Sequence, residues 1–208
     1  MKRTPTVGEV LRAKGVSRRG FLKYCATTAS ILALPPSMIP RIAEAIESAR
    51  RPSVIWLSFQ ECTGCTESLT RSASPTVEGL IFDTISLDYH HTLQAAAGDQ
   101  AEAARHAAME ENDGGYLVLV DGSIPTANAG YSTIAGISNV EMLKETVAGA
   151  AAVVAIGSCA AFGGLPGASP NPTGAVSVMD LVTDKPVINV PGCPPIPTVM
   201  TAVLAHFL

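Results

Sequence analysis

The chain has 208 residues, of which 47% are hydrophobic and 15% charged, so it can form one well-cored domain and is not a disordered segment. Its formal charge is −4, but the first 45 residues carry eight basic and two acidic side chains, whereas the remainder carries 6 basic and 16 acidic ones. An acidic body of this kind excludes a nucleic-acid-binding protein, because phosphate recognition depends on Lys and Arg.

The basic segment 1–45 is predicted to be a twin-arginine export signal. Residues 17–23 read Ser-Arg-Arg-Gly-Phe-Leu-Lys, and the weakly apolar segment 24–34 that follows is too short to cross a membrane. Prolines then break this segment, and Ala-Glu-Ala at 43–45 offers a cleavage site. A basic amphipathic helix is the alternative. The signal predicts export by the twin-arginine pathway to the periplasm or to the outer face of the cytoplasmic membrane.

Residues 46–52 form a polar lead-in, and residues 53–208 are predicted to form one α/β domain. Strands are predicted at 53–59, 80–87, 116–120, 151–156 and 186–190, and helices at 66–72, 92–111, 140–148, 176–182 and from 194 onward. This alternation predicts a doubly wound parallel sheet with helices on both faces. Two long Gly-rich loops, 123–138 and 157–174, follow the third and fourth strands, and loops of that length are usually functional.

Four cysteines follow the ends of three predicted strands. Cys62 and Cys65 are spaced C-x-x-C after the first strand, Cys159 ends the run AAVVAIGSC, and Cys193 ends PVINVPGC. The carboxyl ends of parallel strands lie along one edge of a sheet, where α/β proteins bind their ligands. The four thiols are therefore predicted to converge at the C-terminal ends of the strands.

Four converging thiols are compatible with a tetrahedral zinc ion, a cubane iron–sulfur cluster or disulfides. Zinc sites of this kind usually pair two C-x-x-C elements on small domains, whereas this chain has one such pair and a full core. Free thiols are unusual in an exported protein unless their site is filled before export, which weakens the disulfide reading. Glycines beside the cysteines (Gly64, Gly157 and Gly192) allow backbone N–H groups to approach the sulfides of a cluster. The spacing favours a cluster but leaves zinc and disulfides open.

Other polar residues near this edge are predicted to have structural roles. Asp121 ends the third strand and is expected to position a loop, and His90 and His91 are not expected to bind a metal. Trp56 lies within the first apolar strand and is predicted to belong to the core.

The motifs ECTGCTES, GSCAAFGG, NPTGA and VPGCPP, behind a twin-arginine leader, resemble those of the small subunit of nickel–iron uptake hydrogenases from about Ser53 to the chain end. The resemblance implies a flavodoxin-like domain that holds a proximal 4Fe–4S cluster through Cys62, Cys65, Cys159 and Cys193. It implies an electron-transfer subunit that conducts electrons from H2 oxidation at the nickel–iron centre of a separate large subunit toward a cytochrome or quinone-linked acceptor. No catalytic residue is then expected in this chain.

The resemblance carries three finer expectations. Family members continue into a region that binds a medial and a distal cluster, whereas no cysteine follows Cys193, so the chain is predicted to be truncated and any C-terminal membrane anchor to lie beyond it. Oxygen-tolerant members carry two extra cysteines at positions that look like Gly64 and Thr133, which predicts an oxygen-sensitive enzyme. Glu61, next to Cys62, occupies a position proposed for proton transfer, with a purely structural carboxylate as the alternative.

Two other functions stay open on the sequence. The related cluster subunit of quinone-reducing complexes also has a GCPP motif, but its members typically have adjacent cysteines where this chain has Cys62-Thr63-Gly64-Cys65, and they lack an export signal. An exported binding module stabilised by zinc would require only the converging thiols.

Overall fold

The computed structural model describes residues 6–31, 33–48 and 51–207, and the chain divides into two compact units, Met1–Arg51 and Pro52–Leu208. The first unit contains three helices, α1 (Val7–Ala13), α2 (Arg18–Ile31) and α3 (Ile39–Ser48). The residues predicted to be an export signal are thus largely helical, and their removal stays a prediction. Within the described residues, no helix is long and apolar enough to cross a membrane.

The first unit has an ordered N-terminal cap and a small apolar face. The hydroxyl of Thr6 accepts a hydrogen bond from the Glu9 N–H, and the Glu9 carboxylate accepts one from the Thr6 N–H, so α1 begins with a capping box. Phe21, Cys25 and Ala29 are buried at four-residue intervals along α2. Spacing of this kind places side chains on one face of a helix, so the apolar part of the leader has a buried side within its own unit.

The second unit is a five-stranded parallel sheet with helices on both faces. Its strands and short bridges are β1 (Ser53–Ser58), β2 (Ser86–His90), β3 (Tyr116–Asp121), β4 (Ile124–Pro125), β5 (Thr133–Ile134), β6 (Ile137–Ser138), β7 (Ala150–Ile156), β8 (Ala175–Val176) and β9 (Val187–Val190). The parallel sheet has the order β2-β1-β3-β7-β9, while β4-β8 and β5-β6 form two-stranded pairs. This is the flavodoxin-like order, and it confirms the predicted doubly wound α/β fold.

Helices cover the sheet from both sides. They are α4 (Gly64–Thr70), α5 (Val77–Gly79), α6 (Asp99–Glu111), α7 (Asn139–Val147), α8 (Gly157–Phe162) and α9 (Pro197–Phe207). On one face, Ile55 and Leu57 of β1 belong to the apolar cluster that contains residues of α6 and α7. On the other face, Val54 and Trp56 join residues of α4 and α9. Because both faces are buried, ligands have access chiefly at the strand ends.

Two elements begin later in the chain than the sequence predicted. The strand predicted at 80–87 is a π-helical turn over Leu80–Thr84, and β2 begins only at Ser86. Leu80 and Ile85 are buried five residues apart, which is turn spacing rather than the alternation of a strand. The helix predicted from residue 92 begins at Asp99, because Gly98 has a φ of +57°, outside the helical range.

Two further predictions are corrected after β7. Residues 157–162, predicted to lie in a loop, form helix α8, which carries Cys159. The helix predicted at 176–182 is replaced by β8 and a turn, in which the Asp180 carboxylate accepts hydrogen bonds from the N–H and hydroxyl of Ser177. A bond of this kind can begin a helix, but the chain makes a single turn here, closed by the Val182 N–H on the Val178 carbonyl at 2.9 Å, before β9 begins at Val187.

Candidate metal centre

Four cysteines, brought from three strand ends, line a single cavity at the carboxyl edge of the sheet. Cys62 lies in the loop after β1, Cys65 in the first turn of α4, Cys159 in α8 after β7, and Cys193 in the loop after β9. The cavity encloses about 290 Å³ of space not occupied by protein atoms, counting the part open to solvent. The structure therefore brings the four cysteines of the predicted ligand set to one site.

The loop that carries Cys62 is fixed by its neighbour Gln60. The N–H and C=O groups of Gln60 exchange hydrogen bonds with those of Ser123, both at 3.1 Å. The side-chain amide of Gln60 also donates to the hydroxyl of Thr173 at 3.1 Å. Gly122 has a φ of +85°, and a Cβ there would lie 2.9 Å from the Gln60 nitrogen. The position of the C-x-x-C loop thus depends on Gly122, a residue that the sequence pattern did not single out.

Hydrogen bonds join the three cysteine-bearing loops to one another. The Ser158 N–H donates to the Gly192 carbonyl at 2.8 Å, and the Gly192 N–H donates to the Ser158 hydroxyl at 3.3 Å. The hydroxyl of Ser68, on α4, donates to the Pro195 carbonyl at 2.6 Å. The Cys65 thiol lies 3.8 Å from the Ile156 carbonyl, which accepts its weak hydrogen bond. These contacts hold the thiols around one space.

Glycines pack against the sulfur atoms of three of these cysteines. A Cβ at Gly157 would lie 2.5 Å from the sulfur of Cys65, and one at Gly164 would lie 2.6 Å from the sulfur of Cys159. A Cβ at Gly64 would lie 3.2 Å from the sulfur of Cys62. The thiols are therefore packed directly against main chain, which allows backbone N–H groups to approach a sulfur-rich group between them. Four thiols in a glycine cradle fit an iron–sulfur cluster.

The electrostatics of the cavity disfavour free thiolates. Burial raises the pKa of the Cys65 thiol to about 12, and the charges of Asp121, Cys159 and Cys62 add to the effect. Burial also raises the pKa of Cys159, although a hydrogen bond from the Leu165 backbone lowers it. Four thiolates can therefore share this space only if a positively charged group compensates them, as metal ions do.

The four cysteines of the cavity are free thiols, and the described residues form no disulfide there. Among the described residues, no group of three or more His, Cys, Asp or Glu side chains is arranged to hold a single metal ion. A tetrahedral zinc ion binds four sulfurs at about 2.3 Å from one centre, whereas a cubane cluster binds them at four separate iron corners.

Glu61 also lines the cavity. Its Oε1 accepts a hydrogen bond from the Thr63 hydroxyl at 3.2 Å, whereas its Oε2 is buried and has no partner among the described residues. Burial, and then the charge of Asp121, raise the pKa of the Glu61 carboxyl. An unpaired buried carboxylate oxygen is costly, so this atom is suited to a proton or to a donor from outside the chain.

Asp121 and His90 lie beneath the cavity in a buried polar network. Asp121 accepts hydrogen bonds from Trp56 Nε1 at 3.1 Å and from the Thr66 hydroxyl at 3.5 Å. His90 Nδ1 accepts from the backbone N–H groups of Thr92 and Leu93, which leaves Nε2 protonated and 3.4 Å from the Thr66 hydroxyl. These contacts place Asp121 and His90 in supporting roles. Trp56 is buried, as predicted, but it also holds Asp121 through its indole N–H.

The two positions predicted for extra cysteines lie in different places. Gly64 lines the cavity, but Thr133 lies in the exposed strand β5 and is not among the residues that line it. Thr133 pairs with Ser138 in the β5–β6 hairpin, and its correspondence to the second extra-cysteine position stays a prediction.

The sequence is similar to a known protein family and to curated hydrogenase subunits. The profile of the family described as NADH ubiquinone oxidoreductase, 20 Kd subunit, matches residues 62–207. The Hydrogenase-2 small chain of Escherichia coli (strain K12) is 46% identical over 200 residues, which are 96% of this chain and 54% of that protein. The uptake hydrogenase small subunit of Azotobacter vinelandii is 46% identical over 209 residues, or 100% of this chain and 58% of that protein. The chain thus spans just over half the length of these two relatives.

Solved structures give the same similarity. A chain of the recombinant [NiFeSe] hydrogenase of Desulfovibrio vulgaris Hildenborough superposes with a TM-score of 0.73 at 37% identity, covering 76% of this chain and 59% of that one. The Ni-Fe-Se hydrogenase of Desulfomicrobium baculatum gives a TM-score of 0.72 at 36% identity, covering 75% of this chain and 61% of that one. The parallel sheet and its flanking helices are therefore shared with these proteins.

Proposed function

The chain belongs to the family described as NADH ubiquinone oxidoreductase, 20 Kd subunit, and we propose that it carries electrons away from H2 oxidation. Its curated relatives include small subunits of nickel–iron hydrogenases. The resemblance drawn from the cysteine motifs is confirmed by these relatives. In the proposed function, Cys62, Cys65, Cys159 and Cys193 hold one 4Fe–4S cluster. Such a cluster accepts and releases one electron at a time.

One observation carries this proposal: four thiols from three separate strand ends line one glycine-walled cavity. The residues of this chain would hold the cluster, exclude water from the Cys65 side and present backbone N–H groups to the sulfur atoms. Donors of that kind stabilise the more negative, reduced state of a cluster. The chain's contribution is thus to bind the redox group and to set its potential, which is what an electron-transfer subunit requires.

The partner in this proposal is the hydrogenase large subunit, which would contain the nickel–iron centre. Phe162, Leu165 and Ile196 have between 63% and 85% of their surface exposed, and each follows a cysteine of the cavity by three to six residues. Exposed apolar side chains at the mouth of a redox site are typical of a surface that a partner covers. A large subunit docked here would bring its centre close to the cluster, and a cytochrome or quinone-linked protein would accept the electrons downstream.

Export and proton transfer complete the proposal. A curated relative that is 47% identical is named a periplasmic [NiFe] hydrogenase small subunit, and the twin-arginine sequence around Arg18 and Arg19 supports export of this chain. The unpaired Oε2 of Glu61 supports a proton-relay role for this residue at the subunit interface. Gly64, in place of a cysteine, supports a four-thiolate cluster and an oxygen-sensitive enzyme.

Two competing functions are less well supported. The family's description refers to a quinone reductase subunit, but the curated relatives that cover nearly the whole chain at 46% identity are hydrogenase subunits. A zinc module would require only the four thiols, and it does not account for 46% identity to hydrogenase small subunits over nearly the whole chain. We therefore prefer the hydrogenase subunit.

Exposure of the complex of this chain and its large subunit to H2 under anaerobic conditions tests the function. We expect H2 to reduce the cluster, which gives a paramagnetic signal of a 4Fe–4S cluster that is absent before H2 is admitted. A complex in which Cys159→Ser replaces the native chain is the control and should lack that signal. A native complex with intact cluster that H2 does not reduce, but that a quinol reduces, would contradict the hydrogenase function and favour the quinone-linked alternative.

A further inference from the structure

The loop that carries Cys193 has unusually few main-chain donors. Residues 191–195 read Pro-Gly-Cys-Pro-Pro, so only Gly192 and Cys193 possess a backbone N–H. Proline restricts the backbone of the loop but contributes no donor with which to attach it to its surroundings. The loop is therefore held largely by donors from other elements: the Ser158 N–H donates to the Gly192 carbonyl at 2.8 Å, and side chains supply further attachments.

Two serines supply these attachments. The hydroxyl of Ser68 donates to the Pro195 carbonyl at 2.6 Å from α4, and the hydroxyl of Ser158 accepts from the Gly192 N–H at 3.3 Å from the start of α8. Ser68 is buried, with 7% of its surface exposed, so its hydroxyl competes little with water. It lies three residues after Cys65 on the same helix, so this one bond connects the C-x-x-C element to the Cys193 loop.

We propose that Ser68 is a positioning residue, which holds the Cys193 loop against α4 so that the fourth thiol meets the metal group bound by the other three. The proposal rests on the proposed function for the identity of that group, but the attachment of the loop is a property of the chain itself. Ser68 does not touch the reacting atoms. Its effect passes through the Pro195 carbonyl to Cys193, two residues earlier in the chain.

The chain offers a closely matched control. Ser72 is also 7% exposed, and its hydroxyl also donates to a proline carbonyl, that of Pro75 at 2.7 Å. This bond lies one turn further along the chain and does not involve the Cys193 loop. Ser68→Ala and Ser72→Ala therefore remove the same kind of hydrogen bond from equally buried sites, and only the first should affect Cys193.

The experiment follows amide hydrogen exchange at Gly192, whose N–H donates to the Ser158 hydroxyl, in the 208-residue chain by NMR before iron and sulfide are added. Loss of the Ser68 bond should accelerate exchange at this amide about fivefold, because a typical hydrogen bond of this kind changes a local equilibrium by that factor. Ser72→Ala should leave the rate unchanged. Equal rates in the two variants would overturn the proposal.

A second arm measures the rate at which a chelator removes iron from the loaded chain. Ser68→Ala should lose iron about fivefold faster than Ser72→Ala does. If Ser68→Ala fails to fold, the pair Ser68→Thr and Ser68→Val replaces it, since these side chains have the same shape and only Thr retains the hydroxyl. The Thr variant should behave as the native chain, and equal iron loss from the two would refute the positioning role. A native chain that takes up no iron would refute the proposed function, while hydrogen exchange still decides the role of Ser68.

Discussion

The α6–α7 side of the domain and the carboxyl edge of its sheet use buried polar groups in opposite ways. The Arg105 guanidinium has 1% of its side chain exposed, and it donates hydrogen bonds to Glu102, Thr146 and Glu145 at 2.9–3.0 Å. At the carboxyl edge, four thiols face a cavity and the Oε2 of Glu61 has no partner. One region is complete within the chain, and the other requires a group from outside it.

This difference separates the residues that stabilise the fold from those that would bind the metal. A paired polar network contributes to folding, and removing the buried Arg105 leaves Glu102, whose side chain is 18% exposed, without its cation. An open set of thiols contributes little to the folded chain by itself, because its partner binds only afterwards. Four changes test this distinction, and they follow in order of their expected effect on the free energy of unfolding of the metal-free chain.

Arg105→Ala should have the largest effect. It removes the central cation from Glu102, Glu145 and Thr146, and it should lower the free energy of unfolding by about 3 kcal/mol. Iron uptake should remain native at temperatures where the variant is folded. Denaturant unfolding measures the first quantity and iron analysis the second.

The control for this change is an exposed ion pair. Arg71 pairs with Glu67 at 2.6 Å, but 74% of its side chain is exposed, so Arg71→Ala should cost less than about 0.5 kcal/mol. If both arginine variants lowered the free energy of unfolding by the same amount, the buried network around Arg105 would contribute no more to stability than an exposed ion pair.

Gly157→Ala should affect both stability and the site. Gly157 has a φ of +87°, which strains an L residue, and the new Cβ would lie 2.5 Å from the Cys65 sulfur. Strain and overpacking together should cost about 2 kcal/mol, and most of the iron uptake should be lost. Gly136→Ala is the control, because its φ of +83° gives similar strain with no atom within 4 Å of the Cβ. Equal iron uptake by the two variants would show that the glycine wall does not shape the cavity.

Lowering the pH should destabilise the chain through His90. Burial, and then the charge of His91, lower the pKa of His90 to about 4, while an unfolded histidine has a pKa of about 6.5. Between these values the unfolded chain binds the proton and the folded chain does not, so stability is full above pH 6.5 and falls as the pH decreases toward 4. The expected loss between pH 7 and pH 5 is about 1–2 kcal/mol.

His90→Asn isolates this contribution from those of other groups. Its amide oxygen can still accept hydrogen bonds from the backbone, but it does not titrate. Burial raises the pKa of the neighbouring Asp121, which acts in the opposite direction and is common to both proteins. Unfolding curves at several pH values should therefore differ in slope only between pH 4 and 6.5. Parallel curves would mean that folding does not lower the pKa of His90.

Cys159→Ser should have the smallest effect on the metal-free chain and a large effect on metal binding. The substitution replaces one sulfur atom in a partly exposed position, so we expect less than about 1 kcal/mol of lost stability. Iron uptake should fall by more than half. Cys25→Ser, outside the cavity, should leave iron uptake unchanged. A Cys159→Ser chain that is unstable yet takes up iron normally would show that Cys159 stabilises the fold and does not bind the metal.

The sequence was sufficient to predict the convergence of the cysteines but not the groups that support them. Parallel strands place their carboxyl ends together, so residues after β1, β7 and β9 had to meet once the alternation of elements was recognised. The contact of Ser68 with Pro195 spans 127 positions and follows no periodic pattern, so it became visible only in the folded chain.

The Arg105 network escaped prediction for the same reason. Arg105 lies in a helix with many charged residues, where a solvated side chain is the usual outcome, and its partner Glu145 is 40 positions away. The β5–β6 hairpin was not predicted either. Residues 123–138 were expected to form one long loop, but Thr133 pairs with Ser138 within that segment. Turn geometry at particular loops is decided by local contacts that strand order does not specify.

The most direct test of the central claim is anaerobic reconstitution of the chain with iron and sulfide, followed by metal analysis and electron paramagnetic resonance. We expect a brown protein with about four iron atoms per chain and a paramagnetic signal that appears on one-electron reduction. A colourless protein that takes up no iron and binds one zinc ion tightly would contradict it. The cavity would then be a structural metal site, and the electron-transfer function would be lost with it.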